Sequence, residues 1–301
     1  MSATTSPATG REYGVVRVCS AWDFPRSTYY SRPAPTDGAP EKPRPVQRRG
    51  PRPDISDADL LQAIRTDLAE SPFQGEGHRK VWARLRILKG IRVNRRRVLR
   101  LMRENRLLSP HRSRVGAEVK HDGRITTDAP NVMWGADGAR VFTLDDGWGW
   151  IFTAVEHFNA ECVGWNVVKI GNNLAAWEPI AQGLTDHLGG VGPDVARGLA
   201  IRIDHGPQYT ADHFINQAHY CGLALSYAFI EEPETNGVAE RFNKTLKEQV
   251  IHGRVFRNLE EVKRAVSEFI PVYNSEWRLE KLRFLTPREA RINSRAARLA
   301  A

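Results

Sequence analysis

Three acidic side chains stand where carboxylates could converge on one point of the fold. Asp204 directly follows residues 199–203, a short apolar run that is typical of a buried strand. Asp137 lies in an earlier strand-like segment, and Glu240 lies in a helix-like segment, with 35 residues between it and Asp204. Carboxylate oxygens are the ligands that Mg²⁺ prefers. The three acids therefore predict a site for hard divalent cations.

Such a site would serve phosphodiester chemistry. Two metal ions about 3.5–4 Å apart can activate an attacking oxygen and stabilise the leaving one. Each acid alone also has an ordinary explanation, as a strand-end residue, a turn former or a solvent-facing helix residue, because such acids are common on surfaces. The neighbouring residues favour the metal site, since Asp204 opens a tight turn and Lys247 shares the helical face of Glu240.

The composition favours a polyanionic partner. The 301-residue chain has a formal net charge of +9, although a generally basic surface would give the same balance. Its three cysteines are too widely spaced for a usual zinc site and odd in number for a disulfide framework. No apolar run is long enough to cross a membrane, and the N-terminus lacks the apolar core of a signal peptide. We expect a cytoplasmic protein without a membrane partner.

A small helical domain is predicted between two linkers. Residues 33–53 are rich in Pro, Arg and Gly, which predicts a disordered linker, and residues 109–128 predict a second, basic linker. Between them, Ser56, Gly77 and Asn94 would begin three helices. The short turn between the second and third helices makes this domain a helix-turn-helix candidate.

The second and third of these helices carry an almost unbroken cationic surface. Like charges four positions apart, such as Arg96 and Arg100, repel on a helix unless something neutralises them. Phosphate groups would do so, and we therefore expect contact with DNA or RNA; a merely basic surface is the alternative. The residues expected to contact nucleic acid are Arg79, Lys80, Arg95, Arg96, Arg97 and Arg100.

From residue 129 the pattern changes to strands. A meander of three strands is followed by alternating helices and strands, which predicts a mixed sheet with helices on both faces. Asp204 would stand at the carboxyl end of a strand, where ligand sites usually lie. The first strand is expected to be interrupted at Gly138. The predicted strands are 131–137, 140–144, 150–155, 162–168, 199–203 and 223–230, and the predicted helices are 174–188, 211–221, 238–250 and 259–273.

Several motifs of this chain resemble those of the OrfB-type transposases of the insertion-sequence-three group. The match covers roughly residues 56–290, and the spacing of Asp204 and Glu240 is a specific signature. The resemblance implies an α/β fold, with an RNase H-like mixed five-stranded sheet, helices on both faces and a small all-α helix-turn-helix domain before it. The matching motifs are Trp134–Asp137, Val163–Trp165, Asp204–Thr210, Asn236–Lys247, Tyr273-Asn274, Thr286-Pro287 and, upstream, Gly77–Trp82 and Ile91–Met102.

The residue patterns and the resemblance together predict a division into six segments. Residues 1–32 form a short helical segment, either a helix-turn-helix remnant or a small packing element. The others are the disordered linker 33–53, the helix-turn-helix DNA-binding domain 54–108, the basic linker 109–128, the integrase-like catalytic core 129–292 and a C-terminal tail 293–301.

By the same resemblance, Asp137, Asp204 and Glu240 are the catalytic, metal-binding acids of a DDE-type transposase or integrase, and Lys247 contacts DNA. The implied cofactor is Mg²⁺, as two ions, with Mn²⁺ as a substitute. The implied reaction is DNA strand cleavage, followed by attack of the freed 3′-hydroxyl on another phosphodiester during insertion-sequence transposition. The implied partners are double-stranded DNA of the element ends and target, further copies of this chain on that DNA, and the product of an upstream overlapping frame.

Two other functions stay open. One is a DNA-binding protein of the repressor type with an inactive core, and the other is a plain metal-dependent nuclease that cuts without joining. The presence of all three acids favours the transposase. The residues beside Asp137, which are Gly135, Ala136, Gly138 and Ala139, are smaller than those usual in the family.

Overall fold

The computed structural model describes residues 3–31, 54–109, 127–227 and 236–299. Most of the two predicted linkers therefore lies outside the described residues. The chain divides into two units, Met1–Asp54 and Ile55–Ala301. In the first unit, helix α1 (Gly14–Ala21) and helix α2 (Arg26–Ser31) lie within the short helical segment expected at residues 1–32.

The second unit begins with three helices, α3 (Asp57–Glu70), α4 (His78–Ile87) and α5 (Arg95–Glu104). Their starts agree with the sequence, because the Ser56 hydroxyl accepts from the Asp59 amide and the Asn94 side chain accepts from the Arg96 amide. The helices enclose an apolar core made of Leu60, Ile64, Val81, Leu85, Val98, Leu101 and Met102.

A five-stranded sheet follows, with the strand order β3-β2-β1-β4-β5. Strands β1 (Met133–Thr143), β2 (Gly147–Glu156) and β3 (Cys162–Val168) form the antiparallel meander. Strand β4 (Ala200–Ile203) pairs parallel with β1, and β5 (Ala224–Tyr227) pairs parallel with β4. The predicted mixed five-stranded sheet is confirmed.

Helices cover both faces of this sheet. Along β1 and β2, successive side chains alternate between two apolar clusters, as the period of a strand requires. One cluster takes Ala136 and Phe152 and packs against α6 (Asn173–Leu188), α7 (Pro207–Thr210) and α8 (Asp212–Tyr220). The other takes Val141 and Ile151 and packs against α9 (Gly237–Leu246) and α10 (Leu259–Glu276).

Three local expectations differ from the structure. Strand β1 is continuous through Gly138, where an interruption was expected. A Cβ atom at this position would lie 2.8 Å from the Phe152 ring, so the glycine makes room for a neighbouring side chain and does not break the strand. Helix α9 ends at Leu246 and passes into a π-helical turn, Lys247–Ile251. The last helix, α11 (Pro287–Leu299), continues past the expected end of the core.

Among the helices that the structure describes, none is both long and apolar enough to span a membrane.

Candidate active site and DNA-binding surface

The pairing of β1 with β4 places two of the predicted acids side by side. Gly135 of β1 is the register partner of Arg202 of β4, and each acid lies two residues further along its parallel chain. Asp204 is the first residue after β4, at the carboxyl end of the strand. The negative charge of Asp204 acts on Asp137 and helps to raise its pKa, so the two carboxylates are close enough to interact.

The carboxylate of Asp137 is held in place by two neutral donors. The Gly138 amide donates to Oδ1 at 2.8 Å, and Nδ2 of Asn243 donates to Oδ2 at 2.8 Å. Burial raises the pKa of Asp137 and is the largest influence on it, the charge of Asp204 raises it further, and the two donors and Lys247 oppose the shift. An immobilised, desolvated acid beside a second acid is an arrangement that a cation would stabilise.

Helix α9 lies across β1 and β2 because two asparagines fasten it there. Nδ2 of Asn236, just before the helix, donates to the Ala136 carbonyl at 3.0 Å. The Thr153 hydroxyl of β2 donates to Oδ1 of Asn243 at 2.9 Å, which leaves the Asn243 amide to reach Asp137. Glu240 precedes Asn243 by three positions, so the two residues share one face of the helix.

The small residue at position 135 allows α9 to approach this closely. A Cβ atom at Gly135 would lie 2.5 Å from Oδ1 of Asn236 and 3.2 Å from the Cβ atom of Ala239. A larger residue would therefore push the start of α9 away from the sheet. This helix contact explains the glycine at position 135, and the Phe152 ring explains the glycine at position 138.

Glu240 lies in the first turn of α9, and its side chain is exposed. Within residues 3–31, 54–109, 127–227 and 236–299, no three side chains of His, Cys, Asp or Glu form a group that could hold a metal ion. The structure therefore brings Asp137 and Asp204 together and puts Glu240 on the helix that contacts Asp137, without a preformed three-acid cluster.

Tyr209 is a feature of the site that the sequence analysis did not assign. It belongs to the short helix α7, five residues after Asp204, and is fully buried. Its hydroxyl has no hydrogen-bond partner among the described residues. Burial raises the pKa of Tyr209 well above its usual value, and the charges of Asp137 and Asp204 raise it further. A buried phenol thus lies beside the two acids. Asn243 was likewise not assigned, and its only signal was its spacing from Glu240.

Most of the predicted DNA-contacting arginines already have acidic partners. Asp57 of α3 pairs with Arg97 at 2.7 Å and with Arg100 at 2.6 Å. Glu280, which lies in the integrase-like half of the chain, pairs with Arg79 at 2.5 Å and with Arg95 at 3.5 Å. The other two predicted contacts of the helical domain are Lys80 and Arg96, and Arg96 is exposed at the first turn of α5.

Lys80 is enclosed at the contact between the helical domain and the sheet domain. Its Nζ lies 2.6 Å from the centroid of the Trp277 ring and 3.4 Å from Oε1 of Glu76. Burial lowers the pKa of Lys80 to about 7, against the charge of Glu76, which raises it. Its side chain is 18% exposed, so Lys80 does not belong to the open cationic surface.

Lys247 is the expected nucleic-acid contact nearest to the acids. It begins the π-helical turn after α9 and is half-buried. Its positive charge acts on Asp137 and opposes the rise of that pKa. A positive charge therefore lies near Asp137.

Comparisons with known families and proteins agree with these two domains. Residues 56–115 match the HTH-like domain family, and residues 222–287 match the integrase core domain family. The chain is 31% identical over 202 residues to the transposase InsD for insertion element IS2A/D/F/H/I/K of Escherichia coli, which covers 65% of this chain and 65% of that protein. It is also 31% identical over 202 residues to the transposase InsD for insertion element IS2-9 of Escherichia coli strain K12, covering 65% of this chain and 64% of that protein.

Solved structures with a similar chain path include two integrase cores. One is the catalytic core domain of BIV integrase, with 20% identity, a TM-score of 0.40 and coverage of 56% of this chain and 99% of that one. Another is the HTLV-2 integrase catalytic core domain in complex with magnesium, with 15% identity, a TM-score of 0.38 and coverage of 55% and 98%. From the family matches and the curated relatives, we conclude that this chain carries an HTH-like domain followed by an integrase core domain and is homologous to the InsD transposases of IS2 insertion elements.

Proposed function

We propose that this protein is a transposase that cleaves a DNA strand and transfers the freed 3′-hydroxyl to another phosphodiester in a metal-dependent reaction. The observation that carries the proposal is the β1–β4 register, which sets Asp137 beside Asp204 under the helix that bears Glu240. The homology to InsD transposases supports the same reaction class.

The donor set suits a divalent metal ion. Asp137, Asp204 and Glu240 offer only carboxylate oxygens, which Mg²⁺ and Mn²⁺ accept as ligands. Two like-charged carboxylates, one of them partly desolvated, lower their energy when a cation joins them. When bound, two such ions would supply activation of the attacking oxygen and stabilisation of the leaving oxygen.

The chain itself would orient the acids and the substrate. Asn243 and the Gly138 amide fix the carboxylate of Asp137 and so determine which of its lone pairs remain available. The ring of Tyr209 is buried near both acids and would exclude water on its side of them. Lys247 would bind a phosphate oxygen close to the bond that is cut.

The HTH-like domain would hold the DNA through α5. Arg96 would contact phosphate directly, and Arg79, Arg95, Arg97 and Arg100 would exchange their acidic partners for phosphate groups. Each phosphate contact adds to the salt dependence of binding. The partners we propose are double-stranded DNA at the element ends and target, further copies of this chain on that DNA and the product of an upstream overlapping frame, all in the cytoplasm at the nucleoid.

A strand-transfer assay on oligonucleotides with the element's terminal repeats tests this proposal. With Mg²⁺ or Mn²⁺, we expect cleaved and joined products from the native protein and at least about 100-fold less of both from Glu240→Gln, since a metal-binding acid supports several kcal/mol of transition-state stabilisation. Glu268→Gln, an exposed acid on α10, is the matched control and should behave as native. Equal product from Glu240→Gln and native protein would remove Glu240 from the site.

A repressor-like protein with an inactive core is the second candidate. It is favoured by the lack of a preformed three-acid group in the described part of the chain. This candidate predicts tight binding to the terminal repeats and neither cleaved nor joined product with either metal. A plain nuclease would give cleaved product alone, so one gel distinguishes the three functions.

A further inference from the structure

A short segment of the integrase core, Trp277–Phe284, contacts the HTH-like domain at two aromatic pairs. We call it the docking segment. The ring of Phe73 meets that of Trp277 edge-on, with centroids 4.7 Å apart, and Trp82 meets Phe284 at 5.7 Å. Phe73 is only 6% exposed, so water is largely excluded from this contact. Lys80 lies over the Trp277 ring and adds a cation–π contact.

A pair of reciprocal hydrogen bonds joins the two domains at a second point. The Gln74 backbone amide donates to Oε1 of Gln249 at 2.9 Å, and Nε2 of Gln249 donates to the Gln74 carbonyl at 2.9 Å. Gln249 belongs to the π-helical turn that begins at Lys247. The HTH-like domain is therefore attached directly to the continuation of the helix that carries Glu240.

The backbone of the docking segment is in a conformation that favours glycine. Arg283 and Phe284 both have positive φ, 55° and 66°, although neither is glycine. The Arg278 guanidinium holds this turn, because it donates to the Phe284 carbonyl at 2.9 Å and to Glu289 at 3.1 Å. Strained residues that are held in this way are concentrated at functional positions. Here the turn directs the Phe284 ring towards Trp82 of the HTH-like domain.

The docking segment also reaches the cationic surface. Glu280 accepts from Arg79 of α4 and from Arg95 at the start of α5. The basic helices thus border the integrase core at this segment. DNA that replaces Glu280 as the partner of these arginines would leave the HTH-like domain beside the core.

We propose that the docking segment fixes the HTH-like domain relative to Asp137 and Asp204, so that the position of the cut is measured from the DNA held by α5. This inference rests on the proposed function and adds to it a spacing rule. Domains joined by a loose tether would sample many separations, and their cuts would be spread over neighbouring phosphates. Trp277, Lys80 and Gln249 act here as positioning residues, through the placement of the domain.

The test compares native protein with Trp277→Ala and Gln249→Ala, and takes Trp148→Ala as the matched control. Trp148 is an exposed aromatic residue on β2, where its ring contacts Phe142. Cut positions are mapped to single nucleotides on a duplex with the terminal repeat. We expect one main position for native protein and for Trp148→Ala. For Trp277→Ala we expect the share of cuts at that position to fall at least about tenfold, since a displacement of about 1 Å at the reacting centre can cost about 100-fold in rate.

A hydroxyl-radical footprint on the same duplex makes the test independent of catalysis. Native protein should protect phosphates of the α5 site and, at a fixed spacing, phosphates over the core, whereas Trp277→Ala should keep the first set and lose the second. If Trp277→Ala does not fold, Gln249→Ala decides, because it removes two hydrogen bonds without opening an apolar core. Unchanged cut positions and footprints in the folded variants would overturn the inference. Native protein that gives this footprint but no product would overturn the proposed reaction alone.

Discussion

Charged side chains are arranged in opposite ways around Arg84 of the HTH-like domain and around Asp137 of the integrase core. In the HTH-like domain, the buried guanidinium of Arg84 is matched by Asp67 at 2.7 Å and also by Glu76. In the core, Asp137 lies beside a second acid, Asp204, and its two hydrogen-bond donors are neutral. Paired charges satisfy one another and stabilise the fold, whereas neighbouring like charges keep an unmet attraction for a cation. The contrast predicts that the first group of charges stabilises the fold and that the second binds a cation.

The largest effect on stability should come from removing the guanidinium of Arg84, which pairs with Asp67 and Glu76. Arg84→Ala would leave Asp67 buried without its cation and Glu76 with Lys80 alone, and we expect the free energy of unfolding to fall by about 3–5 kcal/mol. Arg86→Ala, an exposed arginine on the same helix, is the control and should change it by less than about 0.5 kcal/mol. Urea unfolding measures both. A small loss from Arg84→Ala would mean that the three charges do not stabilise the domain.

The buried residue His157 should make the stability of the integrase core depend on pH. Burial, with smaller contributions from the positive charges of Lys281 and Arg202, lowers the pKa of His157 from 6.5 to about 4. Between these two values the unfolded chain binds a proton that the folded protein does not, so stability should rise with pH from 4 to 6.5, by up to about 3 kcal/mol.

Unfolding midpoints at several pH values measure this dependence. His157→Leu should remove that part of the slope, because the variant has no group to titrate there. His219→Leu, at an exposed position on α8, should keep it. A slope that is the same in His157→Leu as in native protein would assign the pH dependence to other groups.

At the acid pair of Asp137 and Asp204, the substitution Asp204→Asn should reduce activity without reducing stability. We expect strand transfer to fall at least about 100-fold, because the variant would lose one of the proposed metal ligands. Removal of the like charge should also lower the pKa of Asp137, and stability should stay the same or rise. Asp186→Asn, an exposed acid on α6, is the control. Strong destabilisation by Asp204→Asn would show that the acid pair is structural.

Gly135→Ala is the smallest of these substitutions, because it adds a single methyl group near Asp137. The added methyl group would meet Oδ1 of Asn236 and push α9 from β1, at a cost of about 1–3 kcal/mol. Because α9 carries Glu240, strand transfer should fall more steeply than stability does. Gly192→Ala, at an open surface position, is the control and should leave both quantities unchanged. Native-like strand transfer in Gly135→Ala would mean that the site tolerates a shift of α9.

The sequence by itself determined the local parts of this protein. The caps at Ser56 and Asn94 could be predicted because each side chain bonds an amide within three residues. The mixed sheet followed from the order of apolar segments, since a strand repeats every two residues and a helix every 3.6. The position of Asp204 at a strand end followed in the same way.

Only the tertiary structure decided which distant residues meet. Asp137 receives its hydrogen bond from Asn243, 106 positions away, and Gly138 is required by the ring of Phe152 on the neighbouring strand. The sequence pattern places Lys80 on the basic surface, but in the folded protein its ammonium group lies against the Trp277 ring. Such contacts depend on strand register and on how closely helices approach the sheet. Neither is encoded within a window of neighbouring residues, because each is set by packing over the whole core.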